Sequence, residues 1–350
     1  MNAQSFDQLL ESFDYALPKS RIALTPASPR DSAKLLVFDR KTGETHWSTF
    51  LDLADFLPTN ALLVFNETKV IPARLLVTSQ DKKGPVEILI TDRKGKRITA
   101  MANKKLHPDE ELLVDQSHRL RVMAKTDRLY TIDLLFDSTL LDDLLDRSGH
   151  TPLPPYLRES PLTEEERRAE YQSIFAKNRG SIAAPTASLH FTERLMKKLR
   201  DTGIDWTFVT LHVNLGTFAP LTEEQWHQKK LHQEQYEIPG EAMRTIAQAK
   251  AGGRSVIAVG TTVVRTLEAA MTMDDGQWTM DKNATTDLFI TEDYPLRVVD
   301  GLITNFHVPK SSLLMLVSAF VGREKLLDLY RQAIGREFRF FSFGDGMLIL

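Results

Sequence analysis

The stretches VEILIT (86–91), RITAM (97–101), RLRVMAK (119–125) and LYTIDLLF (129–136) decide the architecture of one part of the chain. In each, apolar and polar residues alternate, the period-two pattern of a strand with one buried face. Gly95, Pro108 and Asp127 punctuate them as turn residues. Together they predict a compact antiparallel barrel or sandwich within 86–136. The pattern then changes. Ser138 stands where it would cap a helix with Leu140, Leu141, Leu144 and Leu145 on one face, ending near Gly149. Pro152, Pro154 and Pro155 then break the chain.

Beyond these prolines, helical and strand patterns alternate. Thr163-x-x-Glu166 and Thr222-x-x-Gln225 are capping-box patterns that open helices. Thr192 precedes a helix with Leu195, Met196 and Leu199 on one face and Gly203 at its end, and WTFVTLHV (206–213) follows as a strand. SVIAVG (255–260) reads as a buried strand feeding Thr261, Thr262 and another helix. TDLFIT (286–291) and LITNFH (302–307) read as strands, and a helix follows Ser311. Alternation of this kind predicts an α/β domain.

The chain has 350 residues, 42% hydrophobic and 26% charged, so a sizeable core and two domains are expected. It contains no cysteine, which excludes disulfides, thiol nucleophiles and cysteine-held zinc or iron–sulfur centres and fits a cytoplasmic location. The N-terminal stretch lacks the basic start and apolar core of a secretory signal. The longest apolar run, Leu313 to Val321, is far below the roughly 20 residues of a membrane span, so no membrane partner is expected. The net charge of −3 gives no general affinity for nucleic acid. A local basic cluster does exist: Arg93, Lys94, Lys96, Arg97, Lys104 and Lys105, then Arg119, Arg121, Lys125 and Arg128. It reads either as a solvated strand face or as a surface for a nucleic-acid backbone.

Polar residues concentrate in five otherwise apolar or small-residue segments: 180–192, 210–220, 258–268, 298–312 and 341–346. Polar groups at strand ends beside glycines mark where α/β proteins place ligands, and five such segments predict one shared pocket. Within or beside them stand His190, His212, His232 and His307, with Asp287, Asp300, Asp345, Arg265 and Lys310. Histidine moves protons near neutral pH, though each of these also fits a hydrogen-bonded structural role. The Gly260-Thr261-Thr262 junction either aims free N–H groups at an anion or is simply a helix capped by Thr262. No H-E-x-x-H or other recognisable ligand spacing is present, so no metal is expected, and no G-x-S-x-G elbow is present.

Taken together, long blocks in fixed order resemble the S-adenosylmethionine:tRNA ribosyltransferase-isomerase family of the queuosine pathway. They are PRDSAKLLVFDR (29–40), LLVFNETKVIPARL (62–75), GHTPLPPYLR (149–158), YQSIFA (171–176), GSIAAPTASLHFT (180–192), TLHVNLGTFAPL (210–221), LHQEQYEIP (231–239), GTTVVRTLEA (260–269), VVDGLITNFHVPKSSLLMLVSAF (298–320) and FRFFSFGDGMLI (338–349). The resemblance implies a discontinuous, barrel-like α/β domain (1–74 and 151–350) with an inserted antiparallel β-barrel domain (75–150). The implied reaction moves the ribosyl part of S-adenosylmethionine, a co-substrate rather than a prosthetic group, onto the aminomethyl group of a 7-deazaguanine at the tRNA wobble position. On this basis His190 or His307 is expected to carry protons, and Asp300 or Asp345 to orient them or to pair with the amine. Thr186, His212, Thr261, Thr262, Arg265 and Lys310 are expected to bind the co-substrate. Phe191, Phe218 and Phe306 are candidate surfaces for a splayed-out base. The partner is the tRNA anticodon loop, met by a monomer, and the basic strands at 93–128 become its backbone face.

Several positions depart from the family pattern. Asn214-Leu215 stands where Gly-x is expected, Val263 where Ser is, Ser188 where Gly is, Glu292-Asp293 where Pro-Gly is, FGDGM (343–347) where YGDAM is, and Glu67 and Lys69 where Asp and Arg are. Two readings follow: a divergent enzyme, or a paralogue whose pocket has been retuned to another nucleoside-type ligand or turned into a binding protein.

Overall fold

The computed structural model describes residues 5–214, 220–274, 277–280 and 283–350. Two sheets organise them. The larger is nine-stranded and mixed. Its centre is four parallel strands, in the order Asp205–Leu211, Leu62–Asn66, Val256–Val259 and Gly301–Asn305. Gly346–Ile349 pairs antiparallel with the last of these and parallel with Lys34–Phe38, and Thr45–Thr49 finishes that side. On the other side lie Lys230–Glu237 and Asn283–Leu288, both antiparallel to their neighbours.

The central strands read as unbroken apolar runs because both of their faces are covered, as parallel sheets require. Leu62 and Val64 point into one core with Val256 and Ala258, beneath the helices Gly240–Ala251, Thr261–Ala270, Ser312–Val321 and Arg323–Gly335. Leu63 and Phe65 point into the other with Ile257 and Val259, against Phe50, Leu53 and the helix Glu193–Asp201. Where Gly301–Asn305 and Gly346–Ile349 pair antiparallel, the absence of a side chain at Gly346 lets backbone and ring approach closely. A Cβ there would come within 2.9 Å of the Thr304 carbonyl oxygen and 2.8 Å of the Phe50 ring.

The smaller sheet is a closed barrel. Arg74–Ser79, Val86–Lys94, Arg97–Ala102, Leu129–Leu134, Arg119–Thr126 and Glu111–Leu113 pair in that order, and the last returns to the first at Thr78 and Leu113. The expected alternation puts Val86, Ile88, Ile98, Ala100, Leu120, Val122 and Ile132 inside at 0% exposure. Closure removes the free edges that four strands alone would have left. The strands at 74–79 and 111–113 were not foreseen, the second because three residues carry no readable period. The α/β class and the inserted antiparallel barrel are both present.

Local differences have local causes. The helix Leu141–Ser148 is preceded by a single turn at Ser138–Leu140 that is capped by Asp137, not by Ser138. The strand expected at 286–291 lies at Asn283–Leu288, and Phe289 and Ile290 pack into the core beyond it. The capping boxes at Thr163 and Thr222 and the Thr192 and Ser311 caps all form. Among the described residues, no helix is long and apolar enough to cross a membrane.

Where the parallel strands end, a single amide joins them. Asn66 is fully buried; its Nδ2 donates to the Leu211 carbonyl (3.0 Å) and to Thr262 Oγ1 (3.2 Å), and its Oδ1 accepts from the N–H groups of Leu211 and Thr68, each at 3.1 Å. Both donors and both acceptor sites are thus used. Asn66→Asp would set a carboxylate against the Leu211 carbonyl in a buried site, and is expected to cost about 3 kcal/mol or more. Urea denaturation followed by circular dichroism reads this as a lower midpoint.

Candidate active site

Because the four central strands run in one direction, their carboxyl ends at Leu211, Asn66, Val259 and Asn305 meet at one edge of the sheet, the position where open α/β sheets hold ligands. A cavity of about 510 Å³ lies there. Its wall is made by the turn Ala183–Ala187, the Gly260–Thr262 junction, the run Thr304–Leu313, the pair Phe341 and Ser342, and Tyr156 from the proline-rich stretch. Among the described residues, no carboxylate lines it.

The helix Thr261–Ala270 begins at the cavity without a side-chain cap. Gly260 occupies the cap position at φ +99°, a conformation L side chains rarely adopt, and Thr262 Oγ1 is taken by Asn66 rather than turned back on the helix. Thr261 and Thr262, the first two residues of the helix, line the cavity, so the uncapped positive end of the helix dipole lies at its wall, the arrangement that suits an anion. Of the two readings of this junction, the cap by Thr262 is the one not formed.

His307 lines the same cavity. Its Nε2 meets Thr304 Oγ1 at 2.9 Å. Its backbone is fixed from both sides: the N–H donates to the Tyr330 hydroxyl at 2.9 Å, and the Tyr15 hydroxyl donates to its carbonyl. Burial pushes its pKa down to about 4, so the imidazole is neutral at pH 7.

His190 is close by but does not line the cavity. It is 4% exposed and stacked on Phe50 at 4.0 Å between ring centroids. Its Nε2 accepts from Asn305 Nδ2 at 3.1 Å. Burial first, then the nearby Arg339 and Arg30 cations, push its pKa down to about 3. A neutral histidine that accepts from a buried amide holds that amide in place.

The remaining expectations divide. Thr186, Thr261 and Thr262 lie on the cavity wall. Lys310 reaches its rim, but its ammonium is paired with Glu11 at 2.6 Å and Asp14 at 3.0 Å, so its charge is already answered. Asp300 stands at the opposite end of the Gly301–Asn305 strand, where it accepts from the Val256 N–H and pairs with Lys250; the strand's length separates it from His307. Asp345 is 2% exposed and accepts from the N–H groups of Lys34 and Arg339, tying chain segments together instead of orienting a histidine. Burial raises its pKa against the pull of those bonds.

Arg265 points away into a buried ion pair with Glu234 and donates to the Leu288 carbonyl. His212 is turned to Thr68 Oγ1 at 2.8 Å, outside the cavity. His232 is exposed and Asp287 pairs with Lys230. Phe191 is fully buried away from the cavity and Phe306, though on its wall, is fully buried too; Phe218 and Leu215 lie outside the described residues.

Sequence reasoning missed Asn66, Tyr156 and Asn305. Asn66 directly follows the apolar run Leu62–Phe65, a signal for a polar group at a strand end, and Asn305 follows Leu302 and Ile303 after one threonine. Tyr156 gave none, since its placement depends on where the proline-rich stretch crosses the sheet. Of the departures from the family pattern, Val263 and Ser188 are buried off the cavity wall, Asn214 donates its N–H to Glu234, and Glu292 accepts from the Arg323 N–H. Among the described residues, no group of three or more His, Asp or Glu side chains could hold a metal ion.

A parallel-sheet edge carrying an uncapped helix end, a neutral histidine and hydroxyls, with no acid among the described residues, has the make-up of an α/β enzyme pocket suited to a nucleoside-sized organic ligand. The family model described as "Queuosine biosynthesis protein" matches residues 10–349, and the chain belongs to that family. It is 43% identical over 346 residues to the S-adenosylmethionine:tRNA ribosyltransferase-isomerase of Aquifex aeolicus, covering 97% of this chain and 99% of the relative. Its identity to the enzyme of the same name from Carboxydothermus hydrogenoformans is 45% over 356 residues, with coverage of 97% and 99%. The crystal structure of an S-adenosylmethionine tRNA ribosyltransferase from Thermotoga maritima is 32% identical, with a TM-score of 0.54 over 97% of this chain and 100% of that one.

His190 and His307 both have folded pKa values below the ordinary histidine value of 6.5, so the unfolded chain binds more protons as the pH falls. Stability is complete above 6.5 and is lost below it, by up to about 1.4 kcal/mol per pH unit for each histidine. Between pH 6.5 and 5, His307→Gln is expected to flatten this loss measurably, as read from denaturation midpoints against pH.

Proposed function

We propose that this enzyme transfers and isomerises the ribosyl moiety of S-adenosylmethionine onto the aminomethyl group of 7-aminomethyl-7-deazaguanine at the tRNA wobble position. The products are epoxyqueuosine in tRNA, adenine and methionine. The observation that carries the reading is the meeting, in one mostly apolar cavity, of the uncapped Thr261–Ala270 helix end with the neutral His307. The first suits the carboxylate of the methionine part; the second suits a base that must work with little water. We further assign residues 1–74 and 151–350 to the catalytic domain and 75–150 to the inserted barrel, and place the reaction in the cytoplasm with the enzyme acting as a monomer.

The sulfonium makes the neighbouring C5′ hydrogens acidic. With Nε2 donating to Thr304, the Nδ1 lone pair of His307 takes one of them, and the resulting carbanion expels adenine. The tRNA amine then adds to the sugar, and an alkoxide closes on the carbon that carried sulfur, releasing methionine. The Thr261 and Thr262 N–H groups hold the methionine end, with Thr186 on the facing wall. His190 acts through Asn305 rather than on the substrate. The second reading, a retuned paralogue, predicts changes on the cavity wall, and Val263, Ser188, Asn214 and Glu292 are not among the residues that line it.

His307→Gln is expected to lower kcat by about 10²- to 10⁴-fold. Asp300→Asn, at the far end of the same strand, is expected to keep kcat per folded molecule within about threefold, a surface-distant change. Incubation with S-adenosylmethionine and tRNA bearing the aminomethyl-deazaguanine, with adenine and the modified nucleoside followed by mass spectrometry, reads both. Absence of epoxyqueuosine from the folded wild-type enzyme would sink the reading.

The barrel's basic face is smaller than its sequence implied. Arg93 pairs with Asp142, Arg97 with Asp133, and Arg119 and Arg121 with Glu111. Lys104 donates to the Lys83 and Gly84 carbonyls and Lys125 lies over the Tyr130 ring, which leaves Lys94, Lys96, Lys105 and Arg128 as the candidate contacts to tRNA phosphates. Replacing Lys94 and Lys96 together by Ala is expected to weaken tRNA binding and reduce the slope of log Kd against log salt by about 1 to 2, with S-adenosylmethionine binding unchanged.

A further inference from the structure

Phe341 stands in the left-handed region at φ +72°, an uncommon position for a bulky side chain and one that persists only where its surroundings enforce it. The enforcement is visible. The Phe341 N–H donates to the Phe306 carbonyl at 3.2 Å, and the Phe341 carbonyl accepts from Asn305 Nδ2, also at 3.2 Å. The same Nδ2 is shared with His190 Nε2 at 3.1 Å, and His190 is locked by its stack on Phe50. A chain from Phe50 through His190 and Asn305 thus ends on one strained residue of the cavity wall.

That backbone conformation sets the Phe341 ring beside Tyr156, with centroids 4.8 Å apart and planes at 48°. Tyr156 is half-buried and its hydroxyl is fixed to Ser342 at 2.8 Å, so one part of its ring stays accessible at the cavity while its tip is tethered. Of the rings first expected to stack on a base, Phe191 and Phe306 are buried at 0% exposure and Phe218 lies outside the described residues. We propose that Tyr156, braced by the strained Phe341, is the stacking platform for a purine-type ring, and that Phe50, His190 and Asn305 exist in this site to hold the platform in place. This rests on the function proposed above, which supplies two such rings: the adenine of S-adenosylmethionine and the deazaguanine of the tRNA.

Tyr156→Leu and Phe341→Leu keep apolar bulk and remove one aromatic face each; Tyr156→Phe keeps the face and loses only the tether. Each leucine variant is expected to weaken one of the two substrates about tenfold, in the range of base–aromatic stacking, while Tyr156→Phe stays within about threefold of wild type. Calorimetry with S-adenosylmethionine alone reads the adenine, and the KM for modified tRNA at saturating S-adenosylmethionine reads the deazaguanine. A loss confined to the first assigns the platform to adenine; a loss confined to the second assigns it to the wobble base. Thermal melts identify a variant that fails to fold, and the other leucine variant then carries the test.

If the wild-type enzyme turns over and both leucine variants keep both affinities, the platform is refuted and the function stands. If the wild type neither binds S-adenosylmethionine nor forms product, the function fails instead, and saturation-transfer NMR with adenosine and guanosine decides the platform. Purine signals lost on Tyr156→Leu keep it, and no purine signal from wild type ends it.

Discussion

Four parallel strands, buried on both faces, must all run out at one edge, and there the ladder no longer satisfies their backbone groups. Asn66 resolves this at the centre of the sheet. Its amide bridges the ends of two strands and the first turn of the helix Thr261–Ala270, using every hydrogen bond it can make. Thr262 is the second residue of that helix, and Gly260 at the cap position offers no side chain. The helix end therefore reaches the cavity without a side-chain cap, and the amide that terminates the sheet also fixes its first turn.

Asn305 does the corresponding work one strand further on. Its Nδ2 is surrounded by acceptors, His190 Nε2 and the carbonyls of Phe341 and Asp345, which joins the strand end to the C-terminal loop. The two asparagines divide the cavity between them: Asn66 positions the helix end, and Asn305 positions the aromatic wall. His307 sits between, its backbone gripped by Tyr15 and Tyr330 from opposite ends of the chain. A site assembled from residues 15, 66, 156, 261, 305, 307 and 341 explains why both ends of the chain build one domain around an inserted barrel. The barrel, with its edges closed, can be inserted without disturbing the larger sheet.

Burial also explains the chemistry. A mostly apolar cavity with no carboxylate among the described residues that line it keeps His307 neutral and raises the worth of every dipole that faces it. Charged candidates are instead consumed by structure: Asp300 at the strand start, Asp345 in the C-terminal loop, Arg265 with Glu234, Lys310 with Glu11 and Asp14. Each is a strong local motif whose charge is answered by a partner distant in sequence.

What the sequence by itself determined was whatever repeats over a few residues. The alternation in VEILIT and RLRVMAK set the barrel strands, unbroken runs such as VIAV set the doubly buried ones, and Thr163, Thr192, Thr222 and Ser311 set helix starts, because pleat, period and caps are local physics. Block resemblance fixed the family, and all five polar segments, 180–192, 210–220, 258–268, 298–312 and 341–346, contribute residues to one cavity. Which polar residue within them faces that cavity was decided only by the tertiary structure. A histidine, aspartate or arginine carries the same local signal whether its partner is a substrate or a protein group. Those partners, Asn305 for His190, Val256 for Asp300 and Glu234 for Arg265, become neighbours only when distant strands and helices pack.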